Sequence, residues 1–181
     1  GQAIFQRLAT TADFIIESFP PGYMDKLGLG YAALSQTNPR LIMTSITPFG
    51  QTGPYKDYKF SDLVAWATSA LLHISGDPDR PPVRMNADFA ACQGGVQAAM
   101  ATLIAYHYRQ QSGEGQQVDV SIQECLIVTL WNQHQYWSVG KTIFPRTGKY
   151  VKRGLVNSRR QYHCKNGYVA WQVLTSVMGR R

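Results

Sequence analysis

Phe14-Ile15-Ile16-Glu17-Ser18-Phe19, stopped by Pro20-Pro21-Gly22, and Leu41-Ile42-Met43-Thr44-Ser45-Ile46, preceded by Asn38-Pro39, are two largely apolar runs of strand length. Runs of this kind predict buried parallel strands. Between them lie a short helix from Tyr23 to Leu27, a Gly-Leu-Gly turn and a second short helix through Tyr31-Ala32-Ala33-Leu34. Downstream, Asp62 to Leu72 is a predicted helix. A longer one follows Asp88, runs to about Gln111 and stops at Ser112-Gly113-Glu114-Gly115, where glycines end helices. Val118-Asp119-Val120-Ser121 is extended and leads into a helix through about Val139. Strands alternating with helices define an α/β fold with a mainly parallel sheet. Past Gly140 the periodicity is lost for some twenty residues. Tyr162 to Val173 then reads as a hairpin with Asn166-Gly167 at its turn.

The chain has 181 residues, 44% hydrophobic and 16% charged, a globular composition of about one domain. No apolar run is long enough to span a membrane, and the N-terminal residues lack a signal-peptide layout, so a cytoplasmic protein is expected. Cys92, Cys125 and Cys164 form neither a CxxC pair nor a disulfide framework, and the two in helical patterns are expected as buried reduced thiols. The four histidines lack HxxxH or HExxH spacing, so no metal site is expected. No serine lies in GxSxG. Gly28-Leu29-Gly30-Tyr31-Ala32-Ala33 fits a loose GxGxxA pattern, but it does not directly follow a strand and is read as a turn.

Charge is uneven. Residues 1–124 hold all eleven acids and eight basic residues, whereas residues 125–181 hold ten basic residues and no acid. The cluster from Lys149 to Lys165, with Tyr150 and Tyr162 interleaved, is the best nucleic-acid candidate, yet no nucleic-acid module surrounds it. A solvated loop in a piece of a larger, better balanced protein is the favoured reading.

Asp88 stands where the extended segment Arg80-Pro81-Pro82-Val83 gives way to the long Ala/Gly-rich helix. An aspartate there is a helix cap or a carboxylate nucleophile beside the positive end of the helix dipole. Gly94-Gly95 inside that helix costs about 1 kcal/mol per glycine relative to alanine, which implies a close neighbour or a ligand.

The ordered segments resemble the type III CoA-transferase family, which includes carnitine-type transferases and α-methylacyl-CoA racemases. They begin with Glu17-Ser18-Phe19-Pro20-Pro21-Gly22, Leu27-Gly28-Leu29-Gly30-Tyr31, Asn38-Pro39-Arg40-Leu41-Ile42 and Phe49-Gly50-Gln51-Thr52-Gly53-Pro54-Tyr55. Ser61-Asp62-Leu63-Val64-Ala65, Gly76-Asp77-Pro78, Ala87-Asp88 and Ser112 to Ser121 follow in family order. The resemblance implies a Rossmann-like sheet with flanking helices, part of the large domain. On this reading residues 1–140 are the central part of that domain, 141–161 a basic linker and 162–181 the start of a smaller, truncated domain.

It also implies an acyl-CoA:carboxylate CoA-transferase working through mixed anhydrides and an aspartyl-CoA thioester, with Asp88 as nucleophile and Asp62 as the other catalytic residue. Ser18, Phe19, Lys26 and Lys59 are implied in binding CoA, with the Phe89 and Ala90 amides stabilising the developing oxyanion. No cofactor is held permanently; coenzyme A and acyl-CoA are substrates, with a carboxylic acid as acceptor. An interlocked homodimer is implied, nucleic acid and membrane are not, and the isolated segment is expected to be inactive. Racemase members carry a histidine where this chain has Ser61, which cannot take a proton from carbon near neutral pH. Racemisation and a non-catalytic basic binding fragment remain the alternatives.

Overall fold

The computed structural model describes residues 1–130, 133–148, 150–153, 156–159 and 161–170. The chain divides into two compact units, Gly1–Ser69 with Met85–Trp131, and Ala70–Arg84 with Asn132–Arg181.

The first unit is built on three parallel strands in the order β1-β2-β3: β1 (Phe14–Glu17), β2 (Ile42–Thr47) and β3 (Gln117–Ser121). Helices α1 (Gln2–Ala9), α2 (Tyr23–Lys26) and α3 (Tyr31–Thr37) accompany β1 and β2. Between β2 and β3 the first unit contributes α4 (Asp62–Thr68) and α6 (Phe89–Ser112), and α7 (Ile122–Val128) follows β3. Because strand side chains alternate, β2 faces two cores. Leu41 and Met43 pack with Ala9, Met24, Leu29 and Leu34 from the α1–α3 side. On the opposite face Thr44 Oγ1 meets Thr102 Oγ1 of α6 at 2.7 Å, and Ile46 packs with Ala98, Val120 and Cys125.

The α/β class and the parallel sheet follow the sequence pattern, with local differences. β2 is buried apart from the half-buried Ile46, but β1 is an edge strand whose Phe14 and Ile16 are exposed, because nothing pairs with its outer side among the described residues. The helix read over Asp62 to Leu72 is broken at Ala70, which takes a left-handed φ of 66°, and α5 (Leu71–Ile74) begins after it. The helix read to Val139 is likewise two, α7 and α8 (Gln133–Gly140). Cys92, expected inside, lies exposed on α6. Cys125 is buried and its thiol is pushed up by desolvation. Iodoacetamide should therefore label Cys92 in the native protein and leave Cys125 unmodified until denaturant is added; equal labelling by mass spectrometry would contradict this packing.

Arg109, near the end of α6, is buried and locks that helix to the starts of the strands. Its Nη1 donates to the Asp13 and Arg40 carbonyls at 3.1 and 2.9 Å, and Nη2 pairs with the Asp13 carboxylate at 2.9 Å. Phe14 and Tyr106 rings flank the guanidinium. The opposite end of α6 therefore points toward the C-terminal edge of the sheet. There Gly94 lies against Ile122 and Ile46, where an added Cβ would sit 3.0 and 3.7 Å from their side chains. Packing explains Gly94; nothing lies within 4 Å of a Cβ at Gly95.

The second unit holds α5, α8 and two hairpins, β4 (Tyr150–Arg153) with β5 (Val156–Arg159) and β6 (Gln161–Cys164) with β7 (Gly167–Ala170). The first hairpin falls in the basic stretch, where no strand is expected because the residues lack alternation. The second agrees with the Asn-Gly signal over Tyr162 to Ala170; the expected continuation through Trp171-Gln172-Val173 lies outside the described residues.

Candidate active site

Asp88 occupies the N-cap position of α6, with φ −77° and ψ 59°, and its exposed side chain makes no capping hydrogen bond. The cap comes from elsewhere. Asp62 Oδ1 accepts the Ala90 amide at 3.0 Å, so the first turn of α6 is satisfied by a carboxylate on α4. Asp62 is held in turn by its own helix start: Ser61 is the N-cap of α4, its Oγ accepting the Val64 amide at 3.3 Å. One turn along α4, the buried Trp66 ring packs against Phe89 at 5.6 Å between centroids. Asp62 and Trp66 together fix the residues on which Asp88 is mounted. Beyond Asp88, the residues at helical spacing along the same face are Ala91, Cys92 and Gly95, all exposed and small.

The loop after β2 lies at the same edge of the sheet. Gly50 and Gly53 have φ of 86° and 91°, a backbone that favours glycine. Gln51 N donates to both oxygens of the Asp119 carboxylate on β3 at 2.9 and 3.2 Å, and Gln123 N donates to the Pro48 carbonyl at 3.0 Å. Phe49 is buried under the rings of Tyr55, Tyr58 and Phe60. Lys59 is exposed between the last two.

The loop after β1 carries Ser18 and Phe19, both exposed. Its Phe19 amide donates to Glu17 Oε2 at 2.7 Å, and the Phe19 ring lies 4.9 Å from that of Tyr23. Lys26 ends α2 and is exposed.

The expected site residues thus fall into two groups. Asp62, Phe89, Ala90 and Asp88 are joined directly through the Asp62–Ala90 bond. Ser18, Phe19 and Lys59 sit on the loops after β1 and β2, and Lys26 at the end of α2, beyond the C-terminal ends of the strands, where open α/β sheets bind ligands. The Ala90 amide is taken by Asp62, whereas the Phe89 amide beside it is not. The sequence reading missed Glu17 and Asp119 as loop anchors, although a lone acid in an otherwise apolar strand run was a visible signal at Glu17. It also missed Arg109, whose partners Asp13 and Arg40 stand just before β1 and β2, far from it in sequence. No cluster of His, Cys, Asp or Glu suited to a metal occurs among the described residues, and none of their helices is long and apolar enough to cross a membrane.

The helix start bearing Asp88 and the tethered loops lie at the C-terminal edge of a parallel α/β sheet, the edge at which open sheets of this class bind ligands. The chain belongs to CoA-transferase family III, whose family model matches residues 1–180. It is 39% identical over 180 residues to succinyl-CoA:(R)-benzylsuccinate CoA-transferase subunit BbsE of Thauera aromatica, covering 99% of this chain and 42% of that one. To the succinyl-CoA–D-citramalate CoA-transferase of Chloroflexus aurantiacus it is 37% identical over 148 residues, covering 82% of this chain and 37% of that protein. Among solved structures, a CAIB/BAIF family protein from Brucella suis superposes with a TM-score of 0.82 at 31% identity, covering 93% of this chain and 44% of that chain. The chain thus spans less than half the length of the relatives it matches.

Proposed function

We propose that the full-length protein transfers CoA from an acyl-CoA donor to a carboxylic acid, with Asp88 as the nucleophile. The observation that carries this is the uncapped Asp88 carboxylate at the start of α6, with the capping duty taken by Asp62. An aspartate that merely capped its helix would itself accept an amide of the first turn.

Asp88 attacks the thioester carbonyl of the donor; the C–S bond breaks, CoA leaves as thiolate and an aspartyl–acyl anhydride remains. The thiolate attacks the aspartyl carbonyl, releasing the donor's acid and leaving an aspartyl-CoA thioester. The acceptor carboxylate repeats the exchange in reverse, first forming an anhydride with Asp88. Thiolate then attacks the acceptor's carbonyl, giving the new acyl-CoA and free Asp88. The Phe89 amide and the positive end of the α6 dipole favour the oxyanions of these steps. Asp62 positions that helix start. Ala91, Cys92 and Gly95 leave space along the helix for the adduct. Phe19, Ser18, Lys26 and Lys59 bind CoA, the lysines through its phosphates. The reading includes a cytoplasmic homodimer without a permanent cofactor.

Two of the relatives take succinyl-CoA by name, which makes it the first donor to test. Incubation of the full-length enzyme with donor, then hydroxylamine, should mark Asp88 alone by mass spectrometry. Labelling elsewhere, with Asp88 untouched, removes the assignment. Ser61 spends its hydroxyl on capping α4, which disfavours racemisation. No deuterium should enter the α carbon of a chiral 2-methylacyl-CoA in deuterated water; rapid exchange would place the protein among the racemases.

A further inference from the structure

Glu17, Ser45 and Asp119 form one row across the C-terminal ends of the three strands, since Glu17 pairs in register with Ser45 and Ser45 with Asp119. Residues in register on neighbouring parallel strands project from the same face. Each carboxylate of the row reaches forward and holds a backbone amide of a loop. Glu17 takes the Phe19 amide and Asp119 takes the Gln51 amide. Ser45, only 1% exposed, lies between them. Glu17, Ser45, Gln51, Tyr31 and Gln117 line a polar recess of about 10 Å³, room for about one water.

We infer that this row is the positioning device of the CoA site, setting the loops that present Phe19 and Lys59. The inference rests on the function proposed above. Neither carboxylate touches the reacting atoms in this assignment; both act through the loops they hold.

The tether on the first loop is tight. Pro20 and Pro21 fix their own φ and press Phe19 and Pro20 toward extended backbone. With two prolines in a row, that loop has few amides to anchor it, and the Phe19 amide is spent on Glu17. A carboxylate accepting an amide makes a charge-assisted bond, shorter and stronger than a neutral one. The second loop is held at Gln51, beside Gly50, where an added Cβ would come within 3.5 Å of Asp119 Oδ2. Removing either carboxylate takes a tether from its loop at the sheet edge while leaving the sheet's own ladder intact. The loss therefore falls on CoA recognition rather than on the chemical step.

The test uses the full-length enzyme with Glu17→Ala, Asp119→Ala, Glu17→Gln and Asp119→Asn. CoA affinity is measured by calorimetry, with steady-state constants for an acyl-CoA donor and a carboxylic acid acceptor. Each alanine variant should weaken CoA binding and raise the donor KM by about tenfold, the scale of one charge-assisted hydrogen bond, with kcat and the acceptor KM within about twofold. The amide variants keep an acceptor oxygen and should recover most of the affinity. Should an alanine variant not fold, Glu17→Asp, which keeps the charge but shortens the reach, should show the same shift. Unchanged CoA affinity in the folded variants, or kcat and both KM values falling together, overturns the positioning role while leaving the proposed function standing. A wild-type enzyme that binds no CoA overturns both.

Discussion

Replacing Asp88 by alanine in the full-length enzyme should reduce CoA transfer by at least about four orders of magnitude, the scale seen when a covalent nucleophile is removed. Stability should hardly change. The Asp88 side chain contributes no capping bond, so less than about 1 kcal/mol is at stake in a urea titration. The pairing of these two outcomes separates the readings. A capping aspartate would give the opposite pattern, with a measurable loss of stability and activity retained. Asp88→Asn should be nearly as inactive as the alanine variant, since an amide is too weak a nucleophile to form the anhydride. Asp62→Ala should show both effects together, because it strips the cap from α6 and loosens the mount of Asp88. Full turnover by Asp88→Ala would end the mechanism.

The largest stability effect is expected at Gly115. A Cβ there would run into the Leu41 carbonyl oxygen and the Arg40 carbonyl carbon, which are backbone atoms at the start of β2 and cannot swing aside. Gly115 also donates its amide to the Pro39 carbonyl at 2.8 Å, so the two segments lie in direct contact. Gly115→Ala should cost at least about 3 kcal/mol, in the range of severe overpacking, read as a fall in the urea midpoint at unchanged slope. Gly113 is a useful control. It ends α6 in the left-handed region at φ 80°, with its amide bonded to the Arg109 carbonyl, so Gly113→Ala should cost only about 1 kcal/mol. Equal losses at the two glycines would contradict the close approach at Gly115.

The same pair shows what was legible in the sequence. Gly113 and Gly115 both read as helix-stop signals, and for Gly113 that is the whole explanation. The need for glycine at 115 comes from a strand seventy residues earlier, and one-dimensional pattern cannot display it. The two apolar runs revealed the parallel sheet because burial on both faces leaves a local trace. β1 was misjudged as buried for the same reason: pattern reports the residue types, not whether a neighbour pairs with the outer edge. Asp88 and Asp62 were both visible as acids at helix starts. Which of them caps α6 was not visible, since that is decided by the packing of α4 on α6 through Trp66 and Phe89. The Glu17–Ser45–Asp119 row was hidden because strand register joins residues that the sequence keeps far apart.

The order of the strands also governs when the site can come into being. β1 and β2 are neighbours in sequence, but β2 must wait for Gln117 to pair with Met43, and the loop after β2 must wait for Asp119. Contacts of such long sequence separation slow folding, because the chain must close a large loop before any bond repays it. During synthesis the inner edge of β2, with its row of unsatisfied amides and carbonyls, stays open until β3 has left the ribosome. A nascent chain paused between Thr47 and Gln117 therefore presents a sticky strand edge, and that interval is when a chaperone has the most to protect.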